Sequence, residues 1–261
     1  MTQFDLHIGI DYSGRETPTS RTKALQVYAA FDAEEPRRIT TPAAPEGSNW
    51  NWNRKEIAHW LIEQVEKKIA FIAGIDHGFS FPIRYFSDYG LESWPDFLDD
   101  FCKHWPTDND NTYVDFIRDR EDGPPDRTGE PHELRLTEKW TSSAKSVFKF
   151  DVQGSVAKST HAGIPWLRKI REAAGDRLHF WPFDGWRVPE GVSVIAEVYP
   201  SIFRNRYSRG DRKVDQQDAY SIARWLADGD ESGFLTRYFE PPLRDEERKQ
   251  ADLEGWILGI A

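Results

Sequence analysis

An α/β fold is expected: a mixed sheet, with a three-strand antiparallel meander plus parallel strands, flanked by helices and carrying a long insertion. Three observations carry this. Two apolar runs, "DLHIGID" (5–11) and "IAFIAGID" (69–76), both stop on Gly-Ile-Asp. The second is apolar on both parities, as befits a strand covered on both faces. A third apolar run, "GVSVIAEVYP" (191–200), precedes a strong helix.

Taken in order, 5–11 is short, rich in Ile and reads as a strand. "KALQVYAAF" (23–31) and "PRRITTPA" (36–43) follow turn-like segments and complete the meander. In "RKEIAHWLIEQVEKK" (54–68), Ile57, Trp60, Leu61 and Val65 recur at helical spacing with charges elsewhere. "WPDFLDDFCKHW" (94–105) predicts a helix starting at Pro95. The stretch 106–132, with "DGPPDRTGEP", is polar and Pro/Gly-rich and reads as an excursion or lid. "AGIPWLRKIREAAG" (162–175) predicts a helix stopped by Gly175. Pro200 halts the 191–200 strand. "VDQQDAYSIARWLADG" (214–229) sets Ala219, Ile222, Ala223 and Leu226 on one helical face, and "LRDEERKQADLEGWILG" (243–259) predicts a last amphipathic helix.

With 261 residues the chain can bury a sizeable core. Aromatics make up 14%, including 11 Trp, which excludes a disordered chain. A formal net charge of −10 excludes coating of nucleic acid by bulk charge but permits a local basic groove. Cys102 is the only cysteine, so no disulfide framework exists and a reducing compartment is expected. Neither a basic leader nor a membrane-length apolar run is visible. A cytoplasmic protein with no membrane partner is the expectation.

Asp11 and Asp76 close two candidate central strands. A carboxylate beside an apolar sheet loses solvation and needs a cation, a donor or a metal. Small residues follow each ("DYSG", "DHGF") and would let backbone or a ligand come close. Asp215 and Asp218 lie i, i+3 on one helix face, where Asp215 as N-cap with Asp218 in the first turn is one reading and a shared ligand the other. Glu197 sits inside an apolar strand. Its partner is either an arginine of "RNRYSRGDRK" (204–213) or the metal site itself. Carboxylates that converge raise one another's pKa unless a divalent cation is present, and an oxygen-only donor set points to Mg²⁺ or Mn²⁺.

These segments resemble the ribonuclease H-like superfamily, and within it a branch of predicted RNase H-like nucleases, the DUF429-type family. The resemblance rests on "GID" (9–11), "GIDHGFSFP" (74–82), "AEVYPS" (196–201) and "DQQDA" (215–219). It covers about 1–81 and 191–230. It implies one RNase H-like domain over 1–261, with a family-specific insertion at about 82–190 and a C-terminal helical extension at about 230–261. It also implies a carboxylate set drawn from the meander's first strand, the strand after the first helix and a late helix, as in resolvase-like members. Asp11, Asp76, Glu197, Asp215 and Asp218 are the catalytic candidates, and all but Glu197 the metal candidates. Glu197 is not a standard member of the superfamily's acid set.

The implied activity is metal-dependent nuclease cleavage of DNA, RNA or a nucleotide phosphodiester. Two alternatives belong to other classes: an ATP-dependent phosphotransferase of the actin and sugar-kinase type, and a non-catalytic binding protein. Arg204 and Arg206 are candidates to grip phosphate, against the alternative of a solvated loop. Lys158 and His161 stand at a helix start suited to an anion, against ordinary capping by Ser159 or Thr160. His77 is a candidate proton shuttle or a turn residue, and the Trp runs "NWNWN" and "WPFDGW" read more readily as packing than as base stacking.

Overall fold

The computed structural model describes residues 2–32, 34–120, 125–141, 143–152 and 154–261. The strands β1 (Leu6–Asp11), β2 (Gln26–Phe31), β3 (Arg37–Arg38), β4 (Phe71–Asp76), β5 (Leu178–Trp181) and β6 (Ser193–Glu197) form one sheet in the order β3-β2-β1-β4-β6-β5. β1, β2 and β3 pair antiparallel, and β1, β4, β6 and β5 run parallel. The meander is shorter than expected, because within 36–43 the strand itself spans only Arg37–Arg38, with one further bond from the Ile39 amide to the Val27 carbonyl.

The Gly-Ile-Asp repeat has a packing cause. Gly9 pairs with Gly74 and Asp11 with Asp76 across β1 and β4. A Cβ at Gly9 would lie 2.1 Å from the Ala219 carbonyl oxygen, and one at Gly74 would lie 2.6 Å from Ile222 Cγ2. Both glycines therefore let helix α7 (Val214–Glu231) lie directly on this face of the sheet. Side chains alternate along a strand, so each Asp, two residues beyond its Gly, faces the same helix. The intervening Ile10 and Ile75 point the other way, into the main core.

That other face is covered by α1 (Arg54–Glu66), which Asn53 caps at the Glu56 amide, and by α6 (Ala157–Ala174). α6 begins five residues before the predicted start at 162. The segment 82–190 is structural rather than peripheral. It carries α2 (Ile83–Tyr89), α3 (Trp94–His104), α4 (Val114–Arg118), α5 (Leu136–Lys139), α6 and the edge strand β5. Tyr85, Phe86, Trp94, Phe97, Phe101, Trp105, Ile117, Phe148 and Trp166 join the same apolar cluster as Ile8 and Ile75. Of the expected lid, residues 121–124 lie outside the described residues. Its far flank is tied to α3, where Trp105 donates to the Arg127 carbonyl and Arg127 pairs with Asp100.

After α8 (Leu235–Phe239) and α9 (Asp245–Glu254), Gly255 turns at φ +77° and ends the last helix short of the expected 259. The tail then runs beside β6, with the Leu258 amide donating to the Glu197 carbonyl at 2.9 Å. Among the described residues no helix is long and apolar enough to cross a membrane.

Candidate functional site

Asp11 and Asp76 end neighbouring parallel strands in register and are both half-buried. α7 brings Asp218 and Asp215 against them. The predicted cap does not form: Lys213 is the N-cap residue of α7, and Gln216, not an Asp, accepts its amide. Asp215 is thus a first-turn carboxylate not used as a cap. Asp218 is buried and meets Arg204 Nη1 at 3.1 Å. Gln217 holds that arginine's loop, donating to the Arg204 and Tyr207 carbonyls.

The electrostatics follow from this crowding. Burial, then the charges of Asp76, Asp215 and Asp218, hold the Asp11 carboxyl well above the usual carboxylate range. Asp76 is pushed up to about 8, by burial first and then by Asp218 and Glu197. Asp218 is raised by burial as well, and Arg204 opposes the shift at all three acids. A cluster of this kind holds protons at neutral pH or exchanges them for a cation. Among the described residues no three or more His, Cys, Asp or Glu side chains converge closely enough to make a metal cage. Two carboxylates with water and substrate phosphate suffice for Mg²⁺, which seldom uses an all-protein cage. The Asp11–Asp76 pair fits that mode, with oxygen donors only.

Glu197 belongs to neither reading made from the sequence. It pairs with Ile75 across the sheet, so its side chain lies on the face opposite to Asp11 and Asp76. There Arg135 clamps both oxygens, Nη1 to Oε2 at 2.7 Å and Nη2 to Oε1 at 2.5 Å, and the Phe79 amide donates to Oε2 at 3.0 Å. Arg135 also pairs with Glu138 and is 1% exposed. Burial alone would lower its pKa, but Glu197 and Glu138 raise it overall, so it stays charged. Glu197 is therefore fully engaged as an anchor for the segment around α5. Its partner comes from that segment and not from 204–213.

The remaining candidates separate. Arg204 is at the acids, and Arg206 is exposed one turn on. Lys158 pairs with Asp115 at 2.7 Å. His161 is buried among Phe81, Phe101, Trp105, Phe148 and Phe150, with Nδ1 on the Ala157 carbonyl. Burial pushes its pKa down to about 3, so it is a neutral core residue and not an anion ligand. His77 is likewise buried and pushed down to about 4 by desolvation, with Nδ1 at the Gly78 carbonyl. Of the tryptophans, Trp52 and Trp181 are core. The small residues after each Asp admit backbone: a Cβ at Gly14 would lie 1.9 Å from the Lys158 carbonyl oxygen, and the Gly78 amide donates to Thr160 on α6.

Sequence reasoning missed Arg135 and Tyr12. Both line a cleft of about 180 Å³ that also touches Asp76, Lys145, Glu197 and Tyr199. The Arg135–Glu197 pair carries no local signal, because the two residues are 62 apart in sequence. No family model, curated protein or solved structure matches the chain.

Proposed function

We propose that the protein is a metal-dependent nuclease on a ribonuclease H-like sheet, cleaving phosphodiesters of DNA or RNA with Mg²⁺ or Mn²⁺. The observation that carries this reading is the in-register pair Asp11 and Asp76, set against Asp218 and Asp215 by a helix that only glycines at 9 and 74 admit. The strand order β3-β2-β1-β4-β6, with the acid-bearing helix on one face, supports it.

Asp11 and Asp76 would hold the cation, and Asp218 or Asp215 would complete its carboxylate surroundings. A bound divalent ion supplies charge stabilisation and an activated water for phosphodiester cleavage. The protein's own groups do the rest. The apolar sheet below the pair restricts solvent, and Arg204, on the rim beside Asp218, is positioned to meet substrate phosphate. Glu197, clamped by Arg135, and His161, buried among aromatic rings, are left out of the proposed ligand set.

The test is a nuclease screen with single-stranded and duplex DNA and RNA in Mn²⁺, comparing Asp11→Asn and Asp76→Asn with the parent. Cleavage lost in both folded variants supports the assignment, and full cleavage in either overturns it. A non-catalytic binding role is the second reading, favoured by the Arg204–Asp218 pair, which neutralises one of the acids without a metal. Nucleic-acid binding without cleavage under any divalent ion would favour that role.

A further inference from the structure

The loop 204–213, which leads into α7, gathers four arginines and one lysine against a single acid, in a chain whose net charge is −10. Its backbone is held in place. Gln217 donates to the Arg204 and Tyr207 carbonyls, and Tyr207 donates to Asp228 at 2.9 Å. Arg212 donates to Gln217 at 2.8 Å, and its guanidinium lies 3.5 Å from the Tyr220 ring centre, so that arginine is spent on the loop itself. The other cations are not. Among the described residues, exposed Arg206, Arg209 and Lys213 pair with no acid, and Arg204 pairs with Asp218 alone. Such charges do not serve the fold: they repel one another, and Lys213 caps a helix N-terminus, where the dipole favours anions. Between the loop and the first turns of α7 lies a groove of about 370 Å³, whose lining includes Arg204, Asn205, Tyr207, Arg209 and Asp218. Through Asp218 it adjoins the candidate site.

We propose that this groove holds the substrate's backbone beside the scissile bond, with Arg209 gripping the flanking phosphate while Arg204 meets the scissile one. The inference rests on the nuclease reading above and narrows its substrate to linked nucleotides, with at least two phosphates, rather than a mononucleotide. Arg209 Nε donates to the Arg212 carbonyl at 2.6 Å, which fixes the side chain and leaves its Nη groups without a bond among the described residues. A fixed guanidinium with unused donors matches a phosphodiester in both charge and geometry. Because the loop is already pinned, little ordering cost is added on binding. Elsewhere the chain is acidic on balance, which confines a polyanion to this track and suits a single strand better than a duplex.

Fluorescence anisotropy of short labelled single-stranded DNA and RNA, titrated with the full chain in EDTA over a range of KCl, tests this. Saturable binding of at least one is expected, its logarithmic affinity falling with log[KCl] at a slope of about −1.4, or about 0.7 for each of two phosphates. Arg209→Ala should flatten that slope by about 0.7 and weaken binding about five-fold at about 0.1 M KCl, the worth of one released counterion. Arg209→Lys, which keeps the charge, should keep the slope. Arg244→Ala, exposed at the start of α9, should change neither. Unchanged affinity and slope in Arg209→Ala overturns the proposal. So does absence of oligonucleotide binding to the parent protein, or binding of anionic phospholipid vesicles in its place. Cleavage in Mn²⁺ is measured separately. Binding in EDTA that depends on Arg209, without cleavage under any divalent ion, keeps the track and overturns the nuclease reading. Cleavage with binding indifferent to Arg209 does the reverse.

Discussion

Asp11 stands directly across from Asp76 on the adjacent parallel strand, so two acids share one edge of the sheet and one covering helix. Like charges at this spacing, with Asp218 close by, cannot all ionise without a cation. The pH behaviour derives from that adjacency, and so does the proposed divalent-ion site.

The metal-free protein should lose stability as pH rises. An unfolded Asp releases its proton near pH 4, whereas folded Asp76 keeps it to about 8. Between those values the folded state binds more protons, so stability falls with rising pH and levels off above about 8. Thermal melts in EDTA from pH 5 to 8 should show the decline. Asp76→Asn should flatten it and be more stable by about 1–2 kcal/mol at pH 8, after discounting for partial exposure. A steeper decline in the variant would contradict this.

Gly9→Ala should be costly, because the added Cβ meets helix backbone and not a movable side chain. A loss of about 1–3 kcal/mol or more is expected by urea denaturation. Divalent-ion affinity should fall with it, since α7 must move off the sheet. Gly175→Ala offers the contrast: its Cβ meets nothing within 4 Å, so any cost there comes from the positive φ alone.

Glu197→Gln should act on folding and not on metal. It leaves the Arg135 charge buried with weakened partners, at a cost of about 3–5 kcal/mol. In the folded fraction, Mn²⁺ affinity should stay within two-fold of the parent. A large loss of Mn²⁺ affinity in a stable Glu197→Gln protein would restore Glu197 to the metal set.

Asp230 secures the chain's first strand. Its oxygens accept the Gln3 and Phe4 amides at 2.8 and 2.9 Å and meet His7 Nε2 at 2.8 Å. Burial would raise its pKa, but these bonds hold it below the ordinary value. Its contribution is therefore present above pH 4 and is lost as pH falls through the folded pKa. Asp230→Ala should cost about 1–3 kcal/mol at pH 7 and less at pH 3, by urea denaturation at each pH.

Much of the site was readable before the structure, for a physical reason. Gly-Ile-Asp at two apolar strand ends and Asp-x-x-Asp on a helix are local patterns, and local periodicity also marks α1, β4 and α7. The rest depends on pairing. Which face Glu197 takes is decided by its register with Ile75, and a single-residue shift would reverse it. Its partnership with Arg135 spans 62 residues, and β5 is only four residues long, too short for a periodic signal. The 82–190 segment is irregular in sequence and polar over 106–132, and its scattered aromatics assemble on Phe81 and His161 only once α3 and α6 are in place.

The adjacency of Asp11 and Asp76 is tested most directly by titrating the metal-free protein with Mn²⁺ at about pH 7, in two buffers of different ionisation enthalpy. Saturable binding should release about one proton, and both should vanish in Asp11→Asn and Asp76→Asn. Absence of saturable binding to the parent protein, with and without nucleotide, or binding unchanged in both variants, would contradict a carboxylate metal site at these strand ends.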